Sequence, residues 1–294
     1  MLRSFLVLIS AISCFAQTRT IALTFDDLPP EDETINKRIL DALAAHHAWA
    51  IAFVNEKKVA APRGEAMLRD WVQRGYDLGN HTYSHRDLNQ MTVDEFKDEV
   101  IRGERTVAQL AGKPKYFRFP FNHSGDTKEK HEAIAAFLAE RGYRVATCTI
   151  DNEDYRYSHA YDAMLSRKDG LAAAKLRGEY LAYTATEIDY YTQLHVRVFR
   201  CEIPHVMLLH SNELNAELLN QLLQIFEDKH YRFVTLDAVQ SDAAYKTPDT
   251  YVTKFGPMWG YRWAAERKVK VNGSVESDPP KWISEYGKEG AKQP

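Results

Sequence analysis

Cysteine is scarce: Cys14, Cys148 and Cys201 are the only 3 among 294 residues. That is far too few for a cysteine-based metal site. Positive charge is not in excess either. Lysine and arginine number 38 against 41 aspartates and glutamates, and no long basic run exists, so nothing marks a partner of nucleic acid. Beyond the first residues no apolar stretch is long enough to cross a bilayer. Internal repeats and low-complexity tracts are missing too. What remains is a chain that can build a core, with 45% apolar and 12% aromatic residues. Its length fits one large or two small domains.

The opening MLRSFLVLISAISCFAQ reads as a secretory signal over residues 1–17. Arg3 gives the positive start, Phe5 to Ile12 the apolar stretch, and Ala16 the small residue before a cut. The mature protein is then secreted or periplasmic, with no stable membrane insertion. A buried N-terminal helix is one alternative. A lipoprotein acylated on Cys14 is another, although Ala-Ile-Ser before it is a poor match. Removal of the leader takes Cys14 away. In an oxidising compartment Cys148 and Cys201 either close one disulfide or stay as two buried thiols.

Short apolar runs at 21–25, 49–54, 77–80, 116–119, 143–150, 206–209 and 231–236 read as strands. Helical spacing fills 31–46, 64–74, 92–110, 126–141 and 213–228 between them. Thr92 and Glu95 form a capping box, and Gly75, Gly112 and Gly142 act as stops. Strands alternating with helices predict an α/β fold with a parallel sheet, an open or closed barrel. Chemistry in such barrels sits at the C-terminal strand ends. Residues 158–198 read as a helical, tyrosine-rich insertion, serving either as an extra packing layer or as a wall over the site. The catalytic domain is placed at 18–245. Residues 246–294 read as an irregular extension whose Trp259, Tyr261, Trp263 and Trp282 pack on the barrel.

Polar clusters stand at the predicted strand ends. Asp26-Asp27 close the first, although adjacent carboxylates repel and aspartate is a poor strand residue. His81-Thr82-Tyr83-Ser84-His85 follows the third, Arg118-Phe119-Pro120-Phe121 ends the fourth, Asp151 to Tyr155 the fifth and His210 the sixth. Two histidines four apart fall on one face of a helical turn, as in zinc enzymes. With one aspartate they make an N₂O donor set suited to Zn²⁺, Co²⁺ or a similar divalent ion. A chain with 11 histidines also produces such a pair by chance, and an aspartate pair can be a solvated turn. A divalent ion would relieve the carboxylate repulsion by holding one Asp and leaving the other as a base.

These five clusters, in this order over about residues 20–236, resemble the five motifs of the polysaccharide deacetylase family, also called the chitooligosaccharide deacetylase homology domain. The resemblance implies a distorted (β/α)7 barrel that hydrolyses acetyl groups from a sugar with a divalent metal. By position, Asp26 resembles the general base, and Asp27, His81 and His85 the metal ligands. Arg118 resembles the arginine that orients the base, and the Phe121 N–H would help bind the oxyanion. His210 resembles the general acid. Asp154 most resembles its carboxylate partner, with Asp151 the alternative. Leu28-Pro29-Pro30, Phe121-Asn122 and Tyr155 depart from the family pattern, which usually has Gly, Tyr-Gly and Trp there. They bear on the substrate more than on the chemistry. The expected substrate is an acetylated glycan of the N-acetylglucosamine type, such as chitin or peptidoglycan. O-acetyl ester or non-sugar amide hydrolysis, and a non-catalytic carbohydrate-binding role, are the alternatives.

Overall fold

Seven parallel strands carry the alternation in the computed structural model, which describes residues 19–290. They are β1 (Arg19–Leu28), β2 (Ala50–Val54), β3 (Asp77–Asn80), β4 (Tyr116–Phe117), β5 (Arg144–Val145), β6 (His205–His210) and β7 (Tyr231–Phe233). The leader read over 1–17, with Cys14, lies outside the described residues. The helices are α1 (Glu33–Ala45), α2 (Gly64–Gln73), α3 (Val93–Gly103), α4 (Arg105–Ala111), α5 (Lys128–Glu140), α6 (Asp154–Ser166), α7 (Gly170–Phe199), α8 (Glu213–Asp228), α9 (Leu236–Gln240), α10 (Trp259–Glu266) and α11 (Lys281–Gly290). Strand order is β5-β4-β3-β2-β1-β6, with β7 paired to the start of β1. Ile21, Leu23 and Phe25 of β1 and all of β2 are buried, as parallel strands covered on both faces must be.

The stretch 143–150, expected as one strand, changes partners midway. Arg144 and Val145 pair with β4, and the Ala146 N–H still donates to the Phe117 carbonyl at 2.8 Å. The Thr149 and Ile150 N–H groups then donate to Val206 at 3.0 and 3.1 Å, and Leu208 donates back to Ile150 at 3.0 Å. That switch from β4 to β6 breaks the strand and closes the sheet into a distorted (β/α)7 barrel. The helix expected over 92–110 also divides, at Glu104. Its capping box, Thr92 with Glu95, is formed. At the break, Gly103 lies against the backbone of Thr82, where a Cβ would come within 2.5 Å of the Thr82 carbonyl carbon.

The tyrosine-rich segment is two helices, α6 and α7, and starts earlier than residue 158, at Asp154. Tyr157, Tyr161, Tyr180, Tyr183 and Tyr191 are buried, so the segment is a packing layer. The chain beyond 245 holds two helices rather than being irregular throughout. Trp259 and Trp263 of α10 enter the main core.

The expected bond between Cys148 and Cys201 is not formed. Both are free thiols, Cys148 buried and Cys201 exposed. Cys201 precedes β6 and therefore sits at the opposite end of that strand from the mouth, where Cys148 touches Arg118. The alternative of two buried thiols fails for Cys201.

Candidate active site

The site begins at a break in the β1–β2 register between Phe25 and Leu28. In a regular strand two adjacent side chains point to opposite faces. Here Asp27 has φ of 64°, in the left-handed region. Both carboxylates thereby line one cavity of about 470 Å³. Lys58 Nζ anchors the bend by donating to the Asp27 carbonyl at 2.8 Å. Asp26 Oδ1 and Asp27 Oδ1 are buried with no hydrogen-bond partner among the described residues. Buried acceptors of that kind are costly unless something else meets them.

His81 and His85 do not sit on a helical turn, contrary to the expectation from their spacing. They lie in a loop with Thr82 at φ 68° and His85 at φ 57°. Asn80 Oδ1 accepts the Thr82 N–H at 2.8 Å, and the buried Glu99 of α3 accepts the Ser84 N–H at 2.8 Å. The Arg118 carbonyl lies 2.8 Å from His81 Nδ1, which fixes the proton there and leaves Nε2 free. Donor atoms of Asp27, His81 and His85 all lie within 4.8 Å of one another. Burial would raise the Asp27 carboxyl, but His81, His85, His210 and Lys58 bring it down to about 2. Burial and the neighbouring His81 push His85 down to about 4, so its imidazole is neutral and its lone pair available at pH 7. These three residues therefore fit a divalent ion.

Arg118 is fully buried, with Nη1 at 3.4 Å from Asp26 Oδ2 and Nη2 at 3.0 Å from Thr24 Oγ1. Nη1 also meets the Cys148 sulfur, and the guanidinium lies over the Phe53 ring at 4.8 Å. Phe121, at φ 57°, is 54% exposed and packs its ring edge against His85 with centroids 4.7 Å apart.

Across the cavity, His210 ends β6 as the register partner of Asp26. Its Nδ1 lies 2.6 Å from Asp154 Oδ1, and its N–H donates to Asp154 Oδ2 at 2.7 Å. Asn215 Nδ2 donates to the same carboxylate and to the His210 carbonyl, and Asn215 Oδ1 accepts from Tyr180 at 2.6 Å. Burial would lower the His210 pKa, but the Asp154 charge and hydrogen bond, with Asp26 and Asp27 beyond, raise it to about 10. Of the two candidate partners, Asp154 is the one that bonds His210. Asp151 lines the cavity instead and accepts the Glu153 N–H at 2.9 Å. Burial pushes its carboxyl up to about 7.

All the residues singled out in the sequence thus surround one cavity or brace it. Sequence reasoning missed Glu99 and Asn215, and the bracing roles of Thr24 and Cys148, which hold the others in place. It also missed Gly256 and Met258, through which the extension forms part of the wall. A Cβ on Gly256 would stand 1.9 Å from the Phe121 carbonyl oxygen, so only glycine fits.

Residues 16–146 match the family model described as polysaccharide deacetylase. The chain is 29% identical over 137 residues to a peptidoglycan-N-acetylglucosamine deacetylase of Bacillus cereus, covering 46% of each. It is 25% identical over 233 residues to a chitin deacetylase of Colletotrichum lindemuthianum, covering 77% of this chain and 82% of that one. The chain spans less than half the length of the Bacillus cereus relative. Its fold is similar to that of a family 4 carbohydrate esterase from Streptomyces lividans in complex with acetate, with a TM-score of 0.52 and 19% identity over 75% of this chain and 95% of that one. Motif order and cavity agree with the match of residues 16–146 to the polysaccharide deacetylase model, and the chain is similar to that family over this stretch.

Proposed function

We propose that this protein is a metal-dependent hydrolase that removes acetyl groups from an acetylated glycan, with an N-acetylglucosamine-type polymer such as chitin or peptidoglycan as substrate. The observation that carries it is the convergence of Asp27, His81 and His85 in the cavity that Asp26 and His210 also line. A divalent ion, Zn²⁺ by its donor set, supplies Lewis-acid activation of water and of the acetyl carbonyl. Asp27 Oδ1, His81 Nε2 and one nitrogen of His85 would hold it.

The chain's own groups do the rest. Asp26 takes the proton of the attacking water, and Arg118, at 3.4 Å, keeps its carboxylate oriented. The Phe121 N–H steadies the developing oxyanion. His210 gives its proton to the departing nitrogen, and Asp154 holds the imidazole charged and correctly turned until it does. Export by the leader at 1–17 belongs to the same proposal. No helix among the described residues is long and apolar enough to cross a membrane.

An amine leaves badly without a proton, whereas a phenolate leaves readily. His210→Ala is therefore expected to lower kcat/KM on an N-acetyl sugar far more than on an activated aryl acetate. Equal losses on both substrates, with a lowered melting temperature, would make His210 a structural residue and remove it from the chemistry. O-acetyl sugars in the same panel test the ester alternative.

A further inference from the structure

We propose that Arg262 is a positioning residue for the oxyanion donor: from the C-terminal extension it holds the Phe121–Asn122 turn in the backbone conformation that leaves the Phe121 N–H unspent at the cavity. This rests on the deacetylase reading above, which gives that N–H its task.

Phe121 and Asn122 stand one after the other in the left-handed region, at φ 57° and 54°. Glycine adopts such angles freely, whereas residues with a Cβ resist them. Neither position is a glycine. Strained backbone of this kind persists only where its surroundings over-determine it. The turn's own bonds are few. Asn122 donates to the Phe119 carbonyl and His123 to that of Pro120, each at 3.1 Å. The Phe121 N–H has no such partner among the described residues, which leaves it for the cavity that Phe121 lines.

The rest of the hold comes from the extension, beyond the stretch 16–146 that the family model matches. Arg262 of α10 is 1% exposed. Its Nη2 donates to the Asn122 carbonyl at 2.6 Å, and its Nη1 to Ser124 Oγ at 2.8 Å. The same guanidinium is fixed to the extension itself, through Nε to the Pro257 carbonyl at 3.0 Å and Nη1 to Asp249 Oδ2 at 2.9 Å. It also lies over the Trp259 ring at 4.2 Å. One planar fork thus ties residues 122 and 124 to 249 and 257. His131 spans the same gap, with Nδ1 at 3.0 Å from the Ser124 carbonyl and Nε2 at 2.8 Å from that of Asp249. Gly256 closes against the Phe121 carbonyl oxygen. Gly256 and Arg262 therefore fix two successive peptide units, which leaves the Phe121 N–H little freedom to turn. Arg262 is not among the residues that line the cavity, so its effect on the reaction passes through this backbone.

The test measures kcat and KM for acetate release by metal-loaded wild type, Arg262→Met and Arg262→Lys, with metal content and melting curves on the same samples. In Arg262→Met, kcat should fall about ten- to hundredfold, short of the roughly 10²- to 10³-fold that losing an oxyanion donor costs, with KM and metal content unchanged. Arg262→Lys keeps the charge beside Asp249, and so the fold, but one ammonium lacks the fork that spans these acceptors. Its kcat should fall by about tenfold. Adding Asn122→Gly to either variant should return part of the lost kcat, because glycine holds a φ of 54° unaided. In metal-free protein labelled with ¹⁵N-phenylalanine, the Phe121 amide resonance should shift and broaden in Arg262→Lys, which reads the donor without turnover. A folded variant with wild-type kcat and an unmoved Phe121 resonance would overturn the proposal. A loss of kcat that only follows the melting temperature, with no recovery from Asn122→Gly, would overturn it too. Absence of acetate release by wild type from every acetylated glycan would overturn the deacetylase reading instead, and the resonance would still report whether Arg262 holds the turn.

Discussion

Asp154 receives His210 twice, once from the backbone N–H and once at the ring, at 2.7 and 2.6 Å. Both carboxylate oxygens are engaged, so strand end and imidazole are held as one piece. The consequence is a proton retained on His210 up to high pH, because the anion beside it outweighs the effect of burial. A general acid works only while protonated. On the proposed mechanism, activity is therefore expected to be lost as pH rises through the His210 pKa. Asp154→Asn keeps the shape but removes the charge, so that pKa falls and the alkaline limb of kcat should move down by more than about one pH unit. A pH–rate profile over the alkaline range measures this. An unmoved limb would assign it to another group.

Asp26 and Asp27 are adjacent, the bend at Asp27 lets both line one cavity, and the proposed mechanism gives them different roles. Asp26→Asn should retain the metal and lose about 10²- to 10⁴-fold in kcat. Asp27→Asn should lose metal affinity first. Metal content by mass spectrometry, read beside kcat, separates them. The reverse pattern would exchange their assignments.

Two glycines of the insertion and extension should respond in opposite ways. Gly256→Ala forces a Cβ into the Phe121 carbonyl and must displace the backbone that carries the proposed oxyanion donor, the Phe121 N–H. It should cost about 1–3 kcal/mol and reduce kcat. Gly178 is exposed inside α7 with nothing within 4 Å of an added Cβ. Gly178→Ala should stabilise by about 1 kcal/mol and leave kcat alone. Denaturant melts with parallel rate measurements check both.

The thiols should differ sharply. Burial pushes Cys148 up to about 12 and shields it, whereas Cys201 is open to solvent. A maleimide should label Cys201 in the native protein and Cys148 only after unfolding. Peptide mapping without reductant should find no Cys148–Cys201 link.

The strand-end motifs were legible because a parallel sheet delivers its functional groups where an apolar run stops. Ile21 to Phe25 followed by Asp26-Asp27, and Val206 to Leu209 followed by His210, show this directly. Less legible was anything decided by a distant partner. The His81–His85 pair reads as a helical turn by spacing. Its loop is instead shaped by Asn80, by Glu99 from α3 and by the space that Gly103 leaves. The break in 143–150 follows from β6, more than fifty residues later in the chain. Asn215 and Arg262 carry no local signal at all. Each is recognisable only from the backbone carbonyl it holds, at His210 and Asn122 respectively.

The most direct measurement is acetate release from a panel of acetylated glycans, with metal content determined on the same samples. About one divalent ion per chain is expected, bound by Asp27, His81 and His85. Chelation should abolish acetate release, and Zn²⁺ or Co²⁺ should restore it. Full turnover in excess chelator by protein shown to contain no metal would contradict the proposed chemistry at its centre.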